Sequence, residues 1–233
     1  LALQRAGQSR PRPVPFFGEL GSVNPFVVLP PVLAESVELA QGLAGSVTMG
    51  CGQFCTSPGV IVVPLGDAGD AFVAQLADAL AAGRPHAMLT PHMRDGFEAG
   101  RAAWAAHPQV TVLADRSSDR GEPPRAFLGQ VDARAFIADP TLHEEVFGPA
   151  ALVVRVAGID DAIAVLLAIG GSLTATVLGA EQPGQDVVRL VRTATQVAGR
   201  VLFKGFPTGV AVTAGQQHGG PFPSTTHPAP TSV

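Results

Sequence analysis

Apolar positions along this chain follow two alternating rhythms. Short, mostly apolar or β-branched runs at Phe26 to Leu29, Val60 to Val63, Val110 to Leu113, Phe127 to Val131, Leu152 to Val156, Leu173 to Leu178 and Val201 to Phe203 predict strands, with Phe26 to Leu29 read as buried. Between them the apolar residues space out to a helical period. Leu33, Val37, Ala40, Ala44 and Val47 predict a helix from Leu33 to Thr48, and Phe72, Val73, Leu76 and Leu80 predict one from Asp70 to Ala82. Thr90-Pro91 supplies a cap and first turn for a helix reaching His107, which turns Phe97, Ala103 and Trp104 inward. Further helices are expected over Asp160 to Ile169, capped by Asp160 and ended by Gly170-Gly171, and over Gly184 to Val197. Arg134 to Ala138 reads as one more strand. The alternation predicts an α/β fold: an open, mostly parallel twisted sheet flanked by helices and joined by right-handed crossovers.

Prolines and glycines mark where the pattern breaks. Pro11, Pro13 and Pro15 stop the helix end expected in Leu1 to Arg12, Asp115 to Pro124 reads as a polar, mobile loop, and the glycine- and proline-rich tail from Gly205 onward reads as loop.

Composition narrows the function classes. A formal charge of −4 with 15% charged residues offers no basic surface for nucleic acid. Two cysteines cannot build a disulfide framework, and no secretory segment or long apolar span is visible, so the expectation is a cytoplasmic protein without a membrane partner. Cys51 and Cys55 lack a second cysteine pair and the six histidines are scattered, so no metal site is expected. A mean hydropathy of +0.29 with so few charges suits either a piece whose surface is partly covered by something else or a chain with a large buried α/β core.

Two stretches carry candidate chemistry. In Gly50-Cys51-Gly52-Gln53-Phe54-Cys55-Thr56-Ser57-Pro58-Gly59 a cysteine stands between a predicted helix and a predicted strand, where backbone N–H groups at the start of an element favour a thiolate. The alternative is that both cysteines are small buried hydrophobes. Glu19, between apolar neighbours and two glycines, is either a base with a tuned pKa at a cleft or an exposed turn glutamate.

The order of these motifs adds to this reading. Glu19-Leu20-Gly21 with Pro25, then Gly52-Gln53-Phe54-Cys55, then Glu145-Val146-Phe147-Gly148-Pro149 resemble the aldehyde dehydrogenase superfamily. The longer strings Glu19 to Pro25, Gly52 to Gly59, Gly205-Phe206-Pro207-Thr208-Gly209-Val210 and His218-Gly219-Gly220-Pro221-Phe222-Pro223 look like its bacterial branch acting on 2-oxoglutarate semialdehyde. The resemblance implies the catalytic-domain fold of that superfamily and NAD(P)-dependent oxidation of a small aldehyde through a cysteine thiohemiacetal and thioester. It implies Cys55 as nucleophile, Glu19 as general base, and Glu145 and Phe147 with Leu20 and Gly21 along the nicotinamide riboside. Cys51 is off the motif and reads as structural. Ser57, Pro207 and Thr208 are the substrate-side candidates, and Lys204 stands where many relatives carry asparagine.

The same resemblance leads to the expectation that residues 1–25 close a cofactor-binding domain and 26–233 form the thiol domain. No glycine-rich dinucleotide fingerprint is present, so most of the NADP or NAD site and the oligomerisation strand are expected outside this chain. The parent is expected to be a homo-oligomer and the chain alone to be inactive. A thiol acyl-transfer enzyme and a non-catalytic structural or assembly domain are the competing readings.

Overall fold

A computed structural model of the chain describes residues 2–84, 86–115, 122–181, 184–211, 213, 215–216 and 218–227. The elements run α1 (Ala2–Gln8), β1 (Phe26–Val28), α2 (Ser36–Thr48), β2 (Val60–Pro64), α3 (Asp67–Ala82), α4 (Pro91–Ala106), β3 (Thr111–Asp115), β4 (Phe127–Asp132), α5 (Ala133–Ala138), β5 (Ala150–Val156), α6 (Ile159–Ile169), β6 (Ser172–Leu178), α7 (Gln185–Val197) and β7 (Ala198–Leu202). Most of the loop expected over Asp115 to Pro124 lies outside the described residues, as does the end of the tail.

Seven strands form one sheet in the order β3-β4-β5-β2-β1-β6-β7. All neighbours are parallel except β3, which runs antiparallel to β4 with a shift of register between Val112 and Ala114. The fold is the expected α/β sheet with helices on both faces. Alternation along each strand divides the core. Phe26, Val28, Ile61, Val63, Ala151 and Val153 face α2 and α3, where they meet Leu43, Val47, Phe72 and Leu76. Val27, Val60, Val62, Leu152, Val154 and Val177 face the other side, with Trp104, Phe136, Val165, Leu166 and Leu190. With both faces covered, β5 and β6 are buried at every position, including the polar residues Arg155, Ser172, Thr174 and Thr176.

Three local expectations are corrected. Arg134 to Ala138 is helix, not strand: the carboxylate of Asp132 accepts from the Ala135 N–H at 2.8 Å and caps α5. The cap of α6 is Gly158 rather than Asp160, and Asp161 instead accepts from the Ala157 N–H at 2.8 Å. β7 begins at Ala198 directly after α7, earlier than Val201, because its pairing with β6 starts at Ser172 and Ala198.

The segment before β1 lies against the chain's far end. Glu19 bridges Thr225, the Leu20 N–H donates to the Ser224 carbonyl at 2.8 Å, and the Thr226 N–H donates to the Gly18 carbonyl at 2.9 Å. That pairing carries Glu19 toward the loops that enter the sheet. No described helix is long and apolar enough to cross a membrane.

Candidate active site

The candidate residues collect where the chain enters the parallel strands. Asn24 precedes β1, Cys55 and Ser57 precede β2, Glu145 and Gly148 precede β5, and Thr174 lies near the start of β6. Asn24 ties these entrances together. It is 1% exposed and adopts φ 47, a conformation that asparagine tolerates better than most residues. Its amide donates to the carbonyls of Cys55 at 2.9 Å and Ser57 at 3.0 Å, while its carbonyl oxygen accepts from the Thr174 N–H at 3.1 Å and hydroxyl at 3.0 Å. The Ser22 hydroxyl also donates to Asn24 Oδ1, at 2.8 Å.

The approach to Cys55 is bent by backbone that favours glycine. Gly50, Cys51 and Gly52 take φ 55, 61 and 66. At Gly52 a Cβ would collide with the carbonyl of Gly148, so this loop and the one carrying Glu145 pack backbone to backbone. Cys51 turns inward, 2% exposed, and its thiol donates to the His86 carbonyl at 3.1 Å. Its burial raises the thiol pKa, in keeping with a structural role.

Cys55 is half-buried, with its sulfur 3.9 Å from His218 Nε2. The same nitrogen lies 3.6 Å from Glu19 Oε1, so one ring nitrogen is near both the thiol and the carboxylate. His218 is 9% exposed. The thiolate is not favoured in the resting site, contrary to what the helix-to-strand junction suggested. Burial pushes the Cys55 pKa up and the charges of Glu19 and Glu145 add to this, outweighing the N–H groups of Cys55 and Thr56. Neither His218 nor Asn24 stood out in the sequence. The histidine was visible only as one letter of a motif string, and the asparagine looked like an ordinary turn before Pro25.

Glu145 sits on the other side of the Cys55 loop. The residue as a whole is exposed, but its carboxyl end lies against Gly21 and Ser22, and that loss of hydration lifts its pKa to about 7 despite the Ser22 N–H. A Cβ on Gly21 would come within 3.1 Å of Glu145 Oε2, so the glycine leaves room beside the carboxyl group. Ser22, Gly52, Ser57, Glu145 and Phe147 line one small recess, in which the Ser57 hydroxyl is buried without a partner. Leu20, 37% exposed, borders Gly21. Ser57 thus lies with Glu145, whereas Pro207 and Thr208 lie elsewhere, in a turn packed on α2. There Thr208 shares a hydrogen bond of 2.8 Å with Ser46. Next to it the Phe206 ring stacks on Phe26 at 6.0 Å and fills the space a side chain at position 42 would need. No group of residues able to hold a metal ion occurs among the described residues.

The recess brings together the Glu145 side chain, the Phe147 ring and the backbone of Gly52 and Gly148, and it is small, about 10 Å³.

No protein-family model matches the chain. Over its whole length it is 39% identical to alpha-ketoglutaric semialdehyde dehydrogenase 2 of Azospirillum brasilense and 38% identical to alpha-ketoglutaric semialdehyde dehydrogenase of Acinetobacter baylyi. In each case it spans 45% of the relative, so it corresponds to a little under half the length of these proteins. Its fold matches that of proline utilization A from Bradyrhizobium japonicum with a TM-score of 0.80 at 20% identity, covering 98% of this chain and 23% of that one.

Proposed function

Because the chain belongs to the aldehyde dehydrogenase superfamily, as a portion the size of its catalytic domain, we propose that its parent is an NAD(P)-dependent dehydrogenase that oxidises a small aldehyde on Cys55. The activity for which the two relatives are named favours 2-oxoglutarate semialdehyde as substrate. The observation that carries the reading is the single imidazole nitrogen within 3.9 Å of the Cys55 sulfur and 3.6 Å of a Glu19 oxygen.

The raised pKa of Cys55 means that the thiol needs a base, and His218 Nε2 is placed to take its proton. Glu19 stabilises the imidazolium so formed. The thiolate then adds to the aldehyde carbon: a carbon–sulfur bond forms, and the carbonyl oxygen takes the negative charge facing the Cys55 N–H. When bound, the nicotinamide supplies the hydride acceptor that turns this adduct into a thioester. Glu145 and Phe147, with Leu20 and Gly21, would hold that end of the dinucleotide. In deacylation Glu19 removes a proton from water as the oxygen attacks the acyl carbon. The carbon–sulfur bond breaks, the carboxylic acid leaves, the Cys55 sulfur takes its proton back from the His218 imidazolium, and Glu19 releases the water proton to solvent.

This chain alone is expected to be inactive, because its residues build only one end of a dinucleotide site. Residues 1–25 are read as the end of the cofactor-binding domain and 26–233 as the thiol domain. A cytoplasmic location and a homo-oligomeric parent belong to the same proposal. The outer edge of β7, which pairs with no strand among the described residues, supports the second.

The test is alkylation of the chain with iodoacetamide followed by peptide mapping. Cys55 is expected to be labelled and Cys51 spared, and labelling of Cys51 alone would sink the proposal. In the parent, 2-oxoglutarate semialdehyde is expected to drive cofactor reduction that Cys55→Ala abolishes.

A further inference from the structure

Just after His218 the chain makes a tight turn that touches both proton-handling groups of the site. Its first residues lie backbone to backbone on the sheet edge formed by β6 and β7. A Cβ at Gly199, near the start of β7, would collide with the Gly219 carbonyl, and one at Gly220 with the Ser172 carbonyl at the start of β6. A Cβ at Gly171, just before β6, would collide with the carbonyls of Pro221 and Phe222. The turn has no room to slide on that edge, which fixes the backbone next to His218.

The far end of the same turn carries Thr225, 1% exposed. Its backbone is the partner of Glu19, with the Leu20 N–H on the Ser224 carbonyl at 2.8 Å and the Thr226 N–H on the Gly18 carbonyl at 2.9 Å. The Thr225 hydroxyl closes the turn: Oγ1 donates to the Gly220 carbonyl at 2.5 Å and lies 2.9 Å from the His227 carbonyl. Gly220 is two residues from His218, a separation the chain can stretch to no more than about 7 Å. One hydroxyl therefore ties the strand bearing the carboxylate to the backbone bearing the imidazole. Buried as it is, this bond meets little competition from solvent.

We propose that Thr225 is a positioning residue of the active site, whose hydroxyl sets the distance between Glu19 and His218 and with it the reach of the Glu19 charge to Cys55. It acts through those two groups and not on the reacting atoms. The assignment deepens the reading of the Cys55 site and rests on it: Glu19 Oε1 stands 3.6 Å from the His218 nitrogen that lies 3.9 Å from the sulfur. Glu145, the other carboxylate felt by the sulfur, belongs to the loop before β5 and stays in place as a reference. His227, the other titratable side chain of this segment, stands edge-on to the Phe17 ring at 5.4 Å.

The test measures how strongly Glu19 is felt at the sulfur with and without that hydroxyl. Iodoacetamide labelling of Cys55 in the 233-residue chain is followed against pH, and Glu19 is compared with Glu19→Gln in three backgrounds: wild type, Thr225→Val and Thr225→Ser. In the wild type, Glu19→Gln is expected to move the profile to lower pH. With Thr225→Val, which keeps the shape of the side chain and removes the hydroxyl, that shift is expected to shrink to less than about half. With Thr225→Ser, which keeps the hydroxyl, it is expected to persist, a rescue that a merely structural role does not produce. An equal shift in Thr225→Val and wild type overturns the proposal, and so does a shift lost equally in Thr225→Ser and Thr225→Val. If the valine variant does not fold, Thr225→Ala removes the hydroxyl without setting a methyl group against the Gly220 carbonyl, and the same two results decide. Failure of the underlying reading looks different. If Glu19→Gln moves nothing in the wild type, the carboxylate is not beside the thiol, and site and proposal fall together; a wild-type shift that Thr225→Val leaves intact removes only the positioning role.

Discussion

The side-chain amide of Asn24 donates to the carbonyl of Cys55 at 2.9 Å across 31 residues of sequence. With its second bond to Ser57 and the Thr174 groups held on its oxygen, this one buried side chain fixes the cysteine loop against the entrances of β1 and β6. Asn24→Ala leaves these groups without their partner in a dry site. The expected cost is about 2–3 kcal/mol of folding stability, read as a lower urea midpoint, together with a loss of selectivity for Cys55 in alkylation. Asn24→Asp keeps the acceptor and loses the donor, so it is expected to fall between the two.

The charge of Glu19 works against ionisation of Cys55. Glu19→Gln removes the larger of the two carboxylate contributions that raise the Cys55 pKa. The rate of Cys55 alkylation against pH is therefore expected to shift to lower pH in the variant, with faster labelling at neutral pH. Turnover of the parent is expected to fall at the same time, because the acceptor for the water proton is gone. An unshifted alkylation profile would show that the two groups do not interact.

Replacing His218 with Asn keeps a polar group of moderate size and removes the titrating ring. Cys55 alkylation at neutral pH is expected to slow, while Cys51 in its own buried bond to His86 stays unlabelled in both proteins. A variant that labels as fast as the wild type would remove the imidazole from the proton path.

Glu145 links stability to pH in the sense opposite to most carboxylates. Its pKa rises from an ordinary 4.5 to about 7 on folding, so the folded chain holds this proton more tightly than the unfolded one. The stabilising contribution is complete below 4.5 and is lost as pH rises through 7. Glu145→Gln is expected to flatten that part of the profile, measured as urea midpoints between pH 5 and 8. The residue's exposure makes the effect smaller than the shift in pKa alone would give.

Gly52→Ala tests the backbone contact between the two site loops. The new methyl group meets the Gly148 carbonyl in a residue with φ 66, and nothing flexible can give way. A loss of about 2 kcal/mol or more is expected in chemical denaturation. A substitution at Gly45, where a Cβ meets nothing within 4 Å, is the matched control.

The central strands were legible because burial on both faces leaves a run such as Val60 to Val63 with no polar residue to confuse it. Arg134 to Ala138 misled because five mostly apolar residues carry no clear period. The informative letter was Asp132, just ahead of them, whose carboxylate caps the turn. Within the site, Cys55, Glu19 and Glu145 were recognisable from local strings of residues. Asn24 and His218 were not, because their roles come from partners 31 and 163 residues away that only the folded chain brings close.

The Phe206 ring occupies the room beside Gly42 and leaves no slack between the loop after β7 and the helix that delivers the nucleophile. Loop and helix are thus locked into one heritable unit: a larger residue at position 42 survives only with a smaller one at 206, and drift at either reaches the sulfur's approach. Exchange that spares the helix is left to the exposed positions that flank the ring, 204 and 209, because Thr208 is buried and bonded to Ser46 of α2.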